Sequence, residues 1–374
     1  MKGVLHQEIG WMRATAVALA ILFAVYVAAA CWTIYSSSAV VDFVSFWSAG
    51  KLALSADPTL AYDIEAHRSV EQSIIRFDGL LPFPYPPTFL LFVTPFALAP
   101  YRLSFALWVG STGLLYLLSG RRSAPLPYSM AQPQVISNAA IGQNGFLTSA
   151  FFIGGTSLLS ERPFAGGAIL GLLVIKPQLA VVIPMALLAA REWKAIGGGM
   201  FSVVAINLTA LLLFGPASFK AFFNILPVYA QWLASERWPW QEIATSFAFL
   251  RYFGVSPIIA WSVHGAVALT AVTLVWRHWA AASDRRVPIL AAATVLVPPY
   301  LLTYDALLLV VPLTWLMLNG GRPLEVALIW ILCLIPVAIH FGDFNAPNTI
   351  SLAAVLALWA VSRVRSHYDG LETV

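Results

Sequence analysis

Few charged side chains stand in or beside the long apolar runs of this chain, and those few mark where chemistry could occur. Asp42 lies in Val41-Asp42-Phe43-Val44-Ser45-Phe46-Trp47, a few residues past an apolar run. A carboxylate at the edge of an apolar phase suits a general base. Partial burial lifts its pKa toward neutrality, so it can take a proton from an attacking hydroxyl. Asp42 reads equally as a loop acid that caps a helix. Lys176 is the only formal charge between Arg162 and Arg191. A lysine at membrane depth costs about 2.5–3.5 kcal/mol on insertion scales, so a retained one marks either function or a paired structural charge. Its compact ammonium suits a phosphate ligand. Snorkelling to an interface or pairing with a buried carboxylate are the structural alternatives.

Other candidates are weaker. Tyr304-Asp305, with Tyr300 one turn earlier, reads as a sugar-binding wall or as an interfacial tyrosine beside a loop acid. Gln143-Asn144 stands between Gly142 and Gly145 and could bind hydroxyls or cap a tight turn. His67-Arg68 could add positive charge near a lipid phosphate, or pair on the surface with Glu71 or Asp63. Trp232, Trp238 and Trp240 fit an interfacial belt better than a sugar-stacking platform. There is no zinc-type His/Cys cluster, no Walker loop and no Asp-x-Asp motif. No cofactor is expected, and a divalent metal is neither demanded nor excluded.

The elements that must position these residues are helices. The chain is 60% hydrophobic and 10% charged, with mean hydropathy +0.80, whereas soluble domains carry about 25% charged residues. Apolar runs of helical length recur, and lipid-spanning backbone must satisfy its own hydrogen bonds. An all-α polytopic membrane protein of roughly 11–13 transmembrane helices follows as the expected fold, in one domain over residues 1–374. A span over 14–35 is expected to be a retained helix rather than a cleaved signal. Residues 36–86 carry six acids against three bases and read as an outer loop with short interfacial helices. Residues 164–190 run between two basic flanks and so should form a hairpin bent at Lys176-Pro177-Gln178. Residues 215–257 read as a second outer loop. Cys31 and Cys333 both lie in apolar runs and indicate no disulfide. No basic block interleaves with stacking aromatics, so nucleic acid is not an expected partner.

These stretches, in order, resemble glycosyltransferase family 87. The resemblance is carried by Asp42-Phe43 with Phe46-Trp47-Ser48-Ala49-Gly50, Ala61-Tyr62-Asp63, Tyr85-Pro86-Pro87, Gly142-Gln143-Asn144-Gly145, Lys176-Pro177-Gln178 and Tyr304-Asp305. It implies a GT-C-type membrane fold with an outward-facing active site. It also implies a polyprenyl-phosphate sugar donor, often mannose, inversion at the anomeric carbon, and Asp42 as the base. A histidine that many members carry near the last motif is absent here, where Leu301-Leu302-Thr303 precede Tyr304.

The expected function is therefore a membrane glycosyltransferase of the bacterial inner membrane, working on its periplasmic face. Asp42 is the expected base. Lys176, with Arg68 and His67, is expected near the donor phosphate. Gln143, Asn144, Gln178, Tyr304, Asp305, Tyr85 and Trp47 are expected around the substrates. Expected partners are the lipid-linked donor, membrane lipids, and a lipid, glycan or protein acceptor. Two rivals stay open: a transporter or flippase of lipid-linked sugars, and a scaffold subunit that has lost catalysis.

Overall fold

A computed structural model describes residues 42–75, 77, 79–121, 125–234, 239–342 and 345–364, with isolated helical positions at 17, 18, 21, 24, 25 and 28. The expected first span over 14–35 falls almost wholly outside these residues, as do Cys31, Arg76, Asp78, Arg122 and Trp238.

The described chain is helical throughout. In order, the α-helices are α1 Phe43–Ala53, α2 Ile64–Ile74, α3 Pro87–Val93, α4 Tyr101–Gly120, α5 Leu126–Met130, α6 Gln134–Ile141, α7 Gly145–Leu158, α8 Pro163–Gly171, α9 Pro177–Ala180 and α10 Ile183–Ala189. They continue with α11 Trp193–Ala234, α12 Ser246–Tyr252, α13 Pro257–Ala280, α14 Arg286–Leu296, α15 Val310–Leu318, α16 Pro323–Gly342 and α17 Ile350–Arg363. The one β-type pairing among the described residues is an isolated bridge between Ile243 and Leu302. This is an all-α polytopic membrane protein. Four described helices are long and apolar enough to cross a bilayer: Tyr101–Gly120, Trp193–Trp232, Pro257–Ala280 and Pro323–Phe341.

Several other apolar helices are too short to cross alone. α7, with 14 residues, reaches about 21 Å against a hydrocarbon core of about 30 Å. Such helices occur where irregular backbone at membrane depth is buried in protein. The segment 164–190 shows this. α8 passes into a 3₁₀ turn over Leu172–Ile175, breaks at Lys176, and resumes at Pro177. The bend falls at the proline, which removes a backbone donor and disfavours helix in the residue before it. Glycines let α8 lie directly on α11. A Cβ on Gly167 would run into the backbone of Ala195, and one on Gly171 would lie 2.6 Å from Gly199 O.

One element differs from the sequence-based expectation. The stretch 215–257 begins not as a loop but as the continuation of α11, which breaks at Gly215 (φ 73°) and runs on to Ala234. Pro216 follows the break, and its fixed φ restarts the helix on a new axis. Farther on, α14 ends at Leu296, and Ala244 N–H pairs with Leu301 O at 2.7 Å in the turn that follows. That turn then carries Tyr300 toward the site.

Polar contacts gather the turns at the two ends of the bundle. At one end Arg285 donates to Ser362 O and Arg363 pairs with Glu325. At the other end lie Asp42, the 142–144 turn and the 300–305 turn, whose side chains are joined below.

Candidate active site

Asp42 sits at the N-cap of α1, a helix held in place by its aromatic face. Phe43 packs edge-on against Phe105 with ring centroids 5.7 Å apart, and Phe46 against Phe89 at 5.1 Å. Gly50 completes the fit, since a Cβ there would stand 2.9 Å from Val93 O. Phe43 and Phe46 are each 1% exposed, so the helix start is pinned by core packing, and Asp42 with it.

The partner of Asp42 comes from the turn between α6 and α7. Gly142 ends α6 in the left-handed conformation (φ 68°), and the Gln143 N–H reaches back to Asn138 O at 3.1 Å. Trp108 Nε1–H donates to Gly142 O at 2.9 Å and fixes the turn from the α4 side. Held this way, Gln143 Nε2–H donates to Asp42 Oδ2 at 2.7 Å. The Asn144 N–H in turn donates to Gln143 Oε1 at 3.2 Å, which orients the amide.

From Asn144 the network runs on to the bend at Lys176. Lys176 Nζ donates to Asn144 Oδ1 at 3.2 Å and to Asp305 Oδ1 at 2.6 Å. It lies 4.5 Å from the centroid of the Tyr304 ring. Asp305 Oδ2 also accepts from Leu302 N–H at 3.3 Å, closing the first turn of the Thr303–Leu309 3₁₀ helix. Lys176 is thus a buried, paired cation, and two of its three N–H donors are used. Asp42, Gln143, Asn144, Lys176, Tyr304 and Asp305 form one connected group.

Two cavities flank this group. One, of about 160 Å³, is lined by Asp42, Gln143, Ser137, Glu242, Tyr300 and His340, among others. The second, of about 390 Å³, is lined by Lys176, Gln178, Tyr229 and Trp232, with apolar neighbours. Tyr85, Tyr300 and Tyr304 line both cavities and form the wall between them, and the Tyr85 and Tyr304 hydroxyls are 3.4 Å apart. The charges are sorted across this wall. Among the described residues, no Lys or Arg lines the first cavity and no Asp or Glu lines the second.

Burial pushes the Asp42 carboxyl above the usual carboxylate range. The Gln143 hydrogen bond and the nearby His340 pull it down, while Glu242 and Glu71 push it further up. A carboxyl shifted this way is a better proton acceptor near neutral pH than a solvated one. Among the described residues no group of three His, Cys, Asp or Glu side chains is disposed to hold a metal ion.

The remaining expected site residues lie elsewhere. His67 is buried, 3.3 Å from Glu71 and 3.4 Å from Ser45 Oγ, and so stands behind Ser45 rather than in a cavity wall. Arg68 pairs with Glu65 at 2.7 Å on an exposed face. Trp47 donates to Ala99 O at 3.1 Å and packs against Tyr101. None of these three lines either cavity.

The sequence-based expectation missed Ser137, Glu242 and His340. His340 Nδ1 lies 3.3 Å from Glu242 Oε1 across 98 residues. Glu242 is delivered by the Ile243–Leu302 bridge and by Asn348, whose Nδ2 donates to both Gln241 O and Thr303 Oγ1. A lone histidine in the last turn of an apolar helix was the available signal for His340.

A family model described as Glycosyltransferase family 87 matches residues 83–303, more than half of the chain. No curated protein and no solved structure matches it.

Proposed function

The chain belongs to glycosyltransferase family 87, and from that premise we propose that it moves a sugar from a polyprenyl-phosphate donor to an acceptor hydroxyl, with inversion, on the periplasmic face of the inner membrane. The observation that carries this reading is the sorting of charge across the tyrosine wall. An anionic leaving group belongs on the Lys176 side. A hydroxyl that must lose a proton belongs on the Asp42 side. Asp42 precedes the matched residues, but its partner Gln143 lies within them.

In the proposed step the donor sugar spans the wall near Tyr85 and Tyr304. The acceptor oxygen attacks C1 from the Asp42 side as its proton passes to the carboxylate. The C1–O bond to phosphate breaks, and the electron pair leaves with the polyprenyl phosphate toward Lys176. Negative charge grows on that phosphate as the bond breaks, so a desolvated ammonium contributes most in the transition state. Its third N–H is the donor left for the phosphate, the other two being held by Asp305 and Asn144. Attack and departure from opposite sides give inversion. Mannose is the sugar that the family resemblance favours, and no step runs through a metal.

The test is product stereochemistry. Purified protein is given β-linked polyprenyl-phosphate mannose and octyl mannoside, and the new linkage is assigned by NMR. An α linkage supports the scheme, and a β linkage contradicts the inversion. Movement of intact donor across reconstituted vesicles without transfer would favour the transporter instead.

A further inference from the structure

The Asp42 cavity carries more polar equipment than a base requires. Ser137 is 3% exposed and lines the cavity, yet its buried Oγ has no hydrogen-bond partner among the described residues. A buried hydroxyl left without a partner carries a desolvation cost, which a bound polar group would relieve. Glu242 and His340 line the same cavity, hydrogen-bonded to each other, and each side chain is about one-third exposed. Their exposed atoms are available to a ligand. They come from separate elements, the end of α16 and the 3₁₀ turn Trp240–Glu242, the latter held at the site by the Asn348 bonds and the Ile243–Leu302 bridge. Asp42 itself is engaged by Gln143 through Oδ2.

We propose that Ser137, Glu242 and His340 form the acceptor subsite across the cavity from Asp42, and that it takes an uncharged, hydroxyl-rich group such as a saccharide terminus. This rests on the transferase reading above. A carboxylate is acceptor-only and grips hydroxyl donors, whereas the serine hydroxyl both donates and accepts. Vicinal hydroxyls of a sugar match that set. An anionic acceptor would meet Asp42 and Glu242; among the described residues no Lys or Arg lines the wall, and His340 is already paired with Glu242, while like charges brought together in a partly desolvated site repel strongly. The subsite thus selects against anionic groups as well as for hydroxyls.

The experiment compares two acceptors that differ by one charge, octyl mannoside and the corresponding octyl mannuronide, with polyprenyl-phosphate mannose as donor. The wild-type protein should use the neutral acceptor at least about tenfold better in kcat/KM. Glu242→Gln should raise the KM for octyl mannoside about tenfold, leave the donor KM unchanged, and narrow the discrimination. Ser137→Ala and His340→Gln should raise the same KM by smaller factors, and they serve as independent tests if Glu242→Gln does not fold. Equal use of both acceptors overturns the proposal. So do unchanged acceptor KM values in the folded variants, or consumption of donor with a membrane lipid extract but with neither glycoside. Failure to consume donor under any of these conditions sinks the transferase reading itself, and the subsite with it.

Discussion

Gln143 donates to Asp42 at 2.7 Å across 101 residues, and this bond joins a carboxylate that lines the cavity to the turn between α6 and α7. The amide favours the ionised carboxylate and so holds its pKa lower than burial alone would. Gln143→Ala should therefore act in two ways. Asp42 loses its anchor, and kcat should fall by about 10–100-fold. The Asp42 pKa should also rise further. A base works only when ionised, so the acid limb of the kcat/KM profile should move to higher pH. A pH–rate profile of the variant checks both effects.

Lys176 and Asp305 offer a test that separates structure from function. Removing either partner leaves an uncompensated buried charge, at a cost of about 3–5 kcal/mol. Lys176→Met with Asp305→Leu removes both and should recover much of the thermal stability in detergent. If Lys176 also holds the donor phosphate, the double variant stays folded but keeps a raised donor KM and a low kcat. A folded double variant with wild-type donor kinetics would leave the lysine a structural role only.

Parts of this arrangement were legible in the sequence, and for physical reasons. Lys176 stood out because a lone cation in an apolar run is costly, and Gln143-Asn144 because two glycines bracket it. The bend at Lys176-Pro177 was legible because residues 164–190 run between two basic flanks that a single crossing cannot join. Glu242 and His340 were not legible. Their approach depends on Asn348 tying residue 241 to residue 303, a contact between segments far apart in the chain that no local pattern encodes. Charge alone pointed to His67 and Arg68, yet Glu71 and Glu65 hold them away from both cavities. The break at Gly215 was hidden for a similar reason: Phe-rich sequence after a glycine-proline pair reads as loop, while packing keeps it helical to Ala234.

At Gly142 both the backbone conformation and the space demand glycine. Its φ is 68°, and a Cβ would stand 2.7 Å from Phe43 Cβ. Gly142→Ala should cost on the order of 1–3 kcal/mol through strain and displacement of α1. Because the shift separates Gln143 from Asp42, kcat should fall more than the loss of stability explains. A melting curve alongside the transfer rate distinguishes the two.

His340 and Glu242 act on Asp42 with opposite sign. His340 lowers the carboxyl pKa, while Glu242 and, to a smaller extent, Glu71 raise it. His340→Gln should thus move the acid limb of kcat/KM to higher pH, and Glu242→Gln should move it to lower pH. A purely structural role would not shift the two limbs in opposite directions.

The most direct measurement is sugar transfer by Asp42→Asn. Ionised Asp42 is disfavoured in the folded protein, since its folded pKa lies above the ordinary value. The sign is that stability falls as pH rises through the folded pKa, and a neutral amide avoids that cost. The variant should therefore melt at the wild-type temperature or above it near neutral pH, and still bind donor. Its transfer from polyprenyl-phosphate mannose should fall by about 10²–10⁴-fold. A folded Asp42→Asn protein that transfers sugar at near the wild-type rate would contradict Asp42 as the base.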